Sequence, residues 1–235
     1  MVIESLQNKN VKYWVSLHKK KNRDLEQKFL IEGDHLIQEA KKYGIVLETI
    51  SLNDEFADYL VNEKIMKKIS QQKSIPNNIA VCSYLKEREI KGKVLLLDDL
   101  QDPGNLGTII RSAVAFNFET IILSKESCDK YNEKVIRATE GYLFKINIIR
   151  KNLLEVIDIL KKDNYQIIGT DVIKGKDIKK LSFKKIALII GNEGRGMNQN
   201  IKSKCDDFVK IAMNNDCESL NAGVAASILM YEVNK

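Results

Sequence analysis

Histidine is scarce in this chain: its 235 residues include two, His18 and His35, both in the first third. A general base built on an imidazole poised near neutral pH is therefore not expected in the remaining two thirds. The four cysteines, Cys82, Cys128, Cys205 and Cys217, form no C-x-x-C pair and have no histidine close by in sequence. That pattern argues against a zinc site and against a disulfide framework, and no metal is expected. No apolar run reaches the roughly 18–20 residues that a membrane span needs. The opening "MVIESLQNKN" lacks the charged start and apolar stretch of a secretory leader, so a cytoplasmic location is expected. Also missing are a phosphate-binding G-x-x-x-x-G-K-[ST] loop and a strand followed by G-x-G-x-x-G with an acid downstream, which disfavours a nicotinamide-dependent oxidoreductase.

What remains is a globular composition, 44% hydrophobic and 30% charged, with a net charge of +6. The basic excess is split evenly between residues 1–88 and the rest. It is densest in "HKKKNR", where Lys19, Lys20, Lys21 and Arg23 are either a solvated face or contacts for nucleic-acid phosphates.

The first third reads as a small α/β unit. "NVKYWVSLHKKK" has helical spacing, "KFLIEG" is a short strand, and "DHLIQEAKKYG" is a helix capped by Asp34 and stopped by Gly44. "VLETISL" follows as a strand and "NDEFADYLVNEKIMKKISQ" as helical segments. The charged, glycine-containing "LKEREIKGK" looks like a linker, which sets the expected domains at 1–88 and 89–235. Beyond it, "VLLLDDL", "TIILS", "INIIR", "QIIGTDV", "IALIIGNEG" and "FVKIAM" are apolar at consecutive positions, as in parallel strands covered on both faces. Helical stretches separate them, so an open, mostly parallel α/β sheet is predicted, with ligands beyond the C-terminal strand ends.

Three of those strand ends carry unusual turns. "DPGNLGTIIR" places Asn105, Gly107 and Arg111 at a strand exit and helix start. "ALIIGNEGRGMN" holds Glu193 among Gly191, Gly194 and Gly196, where bare backbone can pack against a ligand. "VKIAMNNDCESLNAGVAASILM" ends a strand near Met213 and opens a small-residue helix with Ser219, a candidate N-cap, and Asn221. Each alone fits a structural junction. In this order, N-x-G-x-x-x-R, then G-N-E-G-x-G, then S-L-N, they resemble the signature motifs of the SpoU (TrmH-type) RNA ribose methyltransferases of the SPOUT superfamily, over about residues 93–235. "KFLIEGDHLIQEAKKYG" resembles the opening of the small RNA-binding domain that precedes many such catalytic domains.

The resemblance implies S-adenosylmethionine-dependent methylation of a ribose 2′-hydroxyl in RNA. Ribosomal RNA, of the large subunit, is favoured over transfer RNA; a non-catalytic RNA-binding assembly factor on the same fold is the other reading. It further implies a C-terminal trefoil knot, which nothing in the spacing indicates, and a homodimer that builds each site from two chains. By the same resemblance Arg111, Asn105, Glu193, Ser219 and Asn221 are the catalytic set, with Arg111 engaging the 2′-hydroxyl or its phosphate. A carboxylate–guanidinium pair between Glu193 and Arg111 is one way to orient it. Gly191, Gly196, Ile211 and Leu220 match positions around the cofactor. Arg137, in "IRATEGYLF", joins the lysine cluster as an RNA contact; Thr139, Tyr142 and Ala212 depart from the residues usual in the family's segments.

Overall fold

A computed structural model of the chain describes all residues except Lys174, 179–183 and Asn215. The described residues form two compact units, Met1–Lys86 with Tyr131–Phe144, and Glu87–Lys130 with Lys145–Lys235.

The first unit begins with β1 (Val2–Ile3), α1 (Lys9–Ser16), α2 (Lys20–Glu26), β2 (Lys28–Glu32) and α3 (Asp34–Lys41). It continues with β3 (Val46–Ser51), β4 (Tyr59–Val61), α4 (Glu63–Ile69) and β5 (Asn78–Ser83). The strands lie in the order β1-β4-β3-β5-β2; the first three run parallel, and β5 is antiparallel to both its neighbours. Trp14 is fully buried, edge-on to Tyr59 at 5.1 Å, and its indole Nε1 donates to Glu48 at 2.9 Å. The single helix expected over "NVKYWVSLHKKK" is broken after Ser16. Arg23 folds back there and donates to the carbonyls of Leu17 and His18 at 2.9 and 2.7 Å, groups that the end of α1 leaves open. Asp34 begins α3 without capping it; Gly33 is the N-cap. Residues 59–61, expected to be helical, instead pair with β1 and β3, a register set by distant chain that local periodicity does not carry.

The second unit starts with β6 (Lys93–Leu97), α5 (Pro103–Ala115) and β7 (Phe118–Leu123). Next along the chain, α6 (Glu133–Ala138) and a 3-10 turn at Tyr142–Phe144 belong to the first unit. Tyr131 stacks there on Phe29 and Tyr84 at 4.5 and 4.0 Å. The second unit resumes with β8 (Asn147–Arg150), α7 (Leu153–Lys162), β9 (Gln166–Thr170), β10 (Lys176–Asp177) and β11 (Ile186–Ile190). It closes with α8 (Gln199–Lys202), β12 (Asp207–Lys210) and α9 (Ala222–Asn234).

Its seven strands are ordered β10-β12-β9-β11-β6-β7-β8, and every pairing is parallel. The apolar runs of the sequence are the central strands: Val94–Leu97 and Ala187–Ile189 have no exposed surface. A parallel ladder buried on both faces needs apolar residues at every position, which is why these strands do not alternate. The chain enters the unit through irregular residues after Leu85, where the buried Asn147 amide accepts from Arg88 N and donates to the carbonyls of Arg88 and Glu89.

Truncating the middle of β6 leaves a cavity between two packed layers that cannot collapse. Leu96→Ala is expected to lower unfolding free energy by about 2–5 kcal/mol, measured by urea titration of circular dichroism. A change under about 0.5 kcal/mol would contradict the burial described.

Candidate functional site

The three turns singled out in the sequence lie together in the second unit, beyond the C-terminal ends of β6, β11 and β12. Asp102 caps α5, its carboxylate accepting from Asn105 N at 2.7 Å, and Pro103 occupies the first helical turn, where a missing N–H is harmless. The Asn105 side chain is buried at 8% exposure and linked on both sides. Its Nδ2 donates to Glu193 Oε1 at 3.2 Å, and its Oδ1 accepts from Asn221 Nδ2 at 2.8 Å. Asn221 is itself the N-cap of α9, its Oδ1 accepting from Gly223 N and Val224 N at 2.9 and 3.2 Å. One residue from each motif therefore joins a single hydrogen-bonded chain. The cap expected at Ser219 falls to Asn221, because the helix starts later, at Ala222.

The Glu193 carboxylate also accepts from Gln101 N and Asp102 N, both at 3.3 Å. The expected pair with Arg111 is not formed within the chain: the carboxylate is occupied by Asn105 and two backbone amides at the mouth of α5. Arg111 projects from the exposed side of that helix, and no hydrogen bond or ion pair is found for it among the described residues.

The loop after β11 turns sharply. Asn192 and Gly196 exchange backbone hydrogen bonds at 3.0 Å each way, and Gly196 has a φ of +66°, a region side chains rarely adopt. A Cβ on Gly191 would stand 2.5 Å from Met197 N and 2.6 Å from Gly196 C, so only glycine fits against the returning backbone. Asn192 locks the loop: its Oδ1 accepts from Gly194 N and Arg195 N, and its Nδ2 donates to Asp99 O at 2.8 Å. Asp98 holds the far end by accepting from Asn198 N at 2.7 Å. Burial pushes the Asp98 carboxyl above the usual carboxylate range, and the nearby Asp99 adds to this, against the opposing hydrogen bond from Asn198 and the charge of Arg195.

Beside this loop lies a cavity of about 460 Å³, lined among others by Gly191, Gly196, Ile211, Leu220, Glu193 and Ser219. All four residues expected around a cofactor are in its wall, together with two of the catalytic set. Its volume is within the roughly 300–1,000 Å³ of small-molecule sites. Gly191, Gly194 and Gly196 share that wall with apolar Ile190, Ile211 and Leu229 and with the charged Asp171, Lys202 and Lys210, which suits a flat heteroaromatic group that carries a polar tail. S-adenosylmethionine, with its adenine and short polar tail, fits that chemistry. Arg111 is not in the wall. Among the described residues no cluster of His, Cys, Asp or Glu could hold a metal ion, and no helix is long and apolar enough to cross a membrane.

The expected RNA contacts lie in the first unit. Lys19, Lys20 and Lys21 are exposed at the start of α2, Lys20 within 2.6 Å of Asp24. Arg23 is corrected: it is 5% exposed, and its guanidinium serves the carbonyls at the end of α1. Arg137 is half-exposed on α6, 3.9 Å from Glu133. The sequence reading missed Asp98 and Asn192. Asn192 stands inside the G-N-E-G motif and was passed over as glycine context, whereas nothing local marks Asp98.

Two family models match the chain, in separate stretches. The model of the SpoU rRNA methylase family matches residues 92–231, and that of the MRM3-like substrate-binding domain matches residues 8–80. The chain is 35% identical to the 23S rRNA (guanosine(2553)-2′-O)-methyltransferase RlmP of Bacillus subtilis, covering 98% of both proteins. It superposes with a TM-score of 0.89, at 27% identity, on the AdoMet-bound rRNA methyltransferase of Sinorhizobium meliloti, covering 99% of this chain and 97% of that one. A crystal structure of an RNA 2′-O ribose methyltransferase gives a TM-score of 0.83 at 28% identity, covering 99% and 98%.

Two predictions test this site. Asn221→Ala removes a helix cap and leaves the buried Asn105 oxygen without a donor, so a loss of about 2 kcal/mol is expected in chemical denaturation. Asn221→Ser, which keeps the cap, should lose less. For Asp98 the folded-state value is raised, so its contribution favours folding when protonated and is lost as pH climbs through the ordinary carboxylate range to the raised value. Asp98→Asn should therefore raise Tm at pH 7.5, with the gain shrinking toward pH 4.5; an equal gain at both values would remove charge burial as the cause.

Proposed function

Because this chain belongs to the SpoU rRNA methylase family, we propose that it transfers the methyl group of S-adenosylmethionine to a ribose 2′-hydroxyl of ribosomal RNA, in the large subunit. The observation that carries this reading is the joining of Asn105, Glu193 and Asn221 beside the cavity walled by Gly191, Gly196, Ile211 and Leu220. The large-subunit target rests on the relative that acts on 23S rRNA and on the match of residues 8–80 to a substrate-binding domain. The reaction would take place in the cytoplasm, with residues 1–88, joined by 131–144 of the same unit, holding RNA and the rest of residues 89–235 carrying out transfer.

The bound sulfonium supplies an already activated methyl group. The protein must then align the attacking oxygen and favour loss of its proton, and alignment is an entropy effect of up to roughly 7–11 kcal/mol. A guanidinium stays charged at any working pH, so Arg111 would act by holding the phosphate beside O2′ and stabilising negative charge as it develops there. Glu193, in the cavity wall, is held in place by Asn105. Ser219 lies in the cavity wall, where its hydroxyl could serve as a donor or acceptor. Lys19, Lys20, Lys21 and Arg137 would contact RNA phosphates without reading sequence, an attraction that fades with salt.

Arg111 is exposed and absent from the cavity wall of its own chain, which supports a site completed by a second copy. Val224, Ile228 and Tyr231 form an exposed apolar stripe on α9, at 45, 36 and 47% exposure, and α9 packs on α5, which carries Arg111. A two-fold dimer covering that stripe would bring Arg111 of each copy to the cavity of the other. The trefoil knot implied by the family is consistent with the path of the chain: β12 lies outside β9, yet α9 docks on α5, beyond the opposite side of β11.

Arg111→Ala should keep S-adenosylmethionine affinity within about twofold while methyl transfer to RNA falls at least a hundredfold. Gly191→Val should lose cofactor binding. Neither variant is active alone, but refolding them together should restore about a quarter of wild-type activity, since half the dimers then carry one intact site. No recovery on mixing would place Arg111 in its own chain's site.

A further inference from the structure

The loop at residues 99–102 offers two amides to Glu193 and caps α5, yet it follows a strand and has no ladder of its own. Its order comes from a second loop, residues 124–128, at the end of the neighbouring strand β7. Ser124 Oγ donates to Asp99 Oδ1 at 2.7 Å and accepts from Asp99 N at 2.9 Å. Ser127 Oγ accepts from Leu100 N at 3.2 Å, and Cys128 N donates to Leu100 O at 2.8 Å. Gln101 Nε2 donates to Glu126 O at 2.9 Å. Asp99 takes a φ of +55°, a conformation that a non-glycine residue holds only where its surroundings impose it.

The 124–128 loop is in turn gathered by one side chain. Arg150, the last residue of β8, directs Nη1 to the carbonyls of Ser124, Lys125 and Ser127 at 2.8, 2.8 and 2.6 Å, and Nη2 to Cys128 O at 2.6 Å. Four carbonyls of consecutive turns thus converge on one cation. A guanidinium can serve them because its donors fan out in a rigid plane, whereas an ammonium has a single nitrogen. These are charge-assisted hydrogen bonds, the stronger class.

We infer that Arg150 is a positioning residue for methyl transfer, acting through residues 124–128 on the 99–102 loop and thereby on Glu193, Asn105 and the helix that carries Arg111. It is not in the cavity wall; its effect is on the geometry of the loop beside it. This rests on the proposed methyltransferase reading. It predicts a separation of effects: the cofactor cavity is built from the ends of β9, β11 and β12, the loops after them and the start of α9, none of which Arg150 hydrogen-bonds, so cofactor affinity should change far less than transfer.

The test uses the full-length protein with Arg150→Lys and Arg150→Ala. S-adenosylmethionine binding is followed by calorimetry, single-turnover methyl transfer at saturating RNA by radiolabel, and amide hydrogen exchange over residues 99–105. Cofactor affinity within twofold of wild type, transfer at least tenfold slower in both variants and faster exchange at 99–105 are expected. Millimolar guanidinium should partly restore the rate of Arg150→Ala and not that of Arg150→Lys, a response that general loosening would not give. Transfer and exchange both within twofold of wild type would overturn the inference, as would a matching loss of cofactor affinity without guanidinium recovery. Should Arg150→Ala fail to fold, Arg150→Lys carries the same rate, affinity and exchange comparison. If wild-type protein transferred no methyl to RNA, the functional reading would fall, while unchanged exchange at 99–105 in the variants would separately overturn the role of Arg150.

Discussion

A buried amide with a fixed polarity is the point on which the second unit's functional geometry turns. Asn105 must donate to the Glu193 carboxylate and accept from Asn221, and an asparagine side chain has one donor end and one acceptor end to do so. A carboxylate at that position would face Glu193 with like charge, and an apolar residue would offer neither partner a hydrogen bond. Because the amide lies at 8% exposure, each broken link would leave a polar group without water to replace it. The interaction ties the start of α5, the loop after β11 and the start of α9, three segments about 90 and 30 residues apart along the chain, into one arrangement.

The surroundings divide their labour by chemistry. The cavity wall joins glycine backbone and aliphatic surface to charged side chains, Asp171, Lys202, Lys210 and Glu218 among them, whereas Arg111 stands outside it. Glycine at 191 lets the chain fold back within contact of residues 196 and 197, so the pocket's shape comes from main chain and is not at the mercy of rotamers. Glu193 is the carboxylate at the junction, and its hydrogen bonds to Gln101 N and Asp102 N place negative charge where the first amides of α5 are unpaired, a favourable site for an anion. Arg111, exposed on the outer side of the same helix with no partner among the described residues, carries a hydrated positive charge complementary to phosphate.

The sequence carried the strands of the second unit because a doubly covered parallel ladder requires uninterrupted apolar residues, and Val94–Leu97 and Ile186–Ile190 have them. It carried the site's loops because glycines, asparagines and an N-cap acid are needed there for local reasons. It misplaced β4, whose residues pair with β1, at the far start of the chain, and with β3. It also offered Arg23 as a surface cation when a break between two helices had buried it. In both cases the deciding partner was distant or was a backbone carbonyl, and neither leaves a mark in residue spacing.

By itself, then, the sequence determined the alternation of strand and helix, the positions of three functional turns and the kind of chemistry they suit, since propensity, burial pattern and motif spacing are local properties. Tertiary structure decided which groups meet: that Glu193 faces Asn105 and backbone amides in place of Arg111, that Asp98 and Asn192 pin the glycine loop, and that Arg150 reaches across to the carbonyls after β7. Hydrogen bonds act over about 3 Å, and only the packing of strands ordered out of sequence brings such groups within that range.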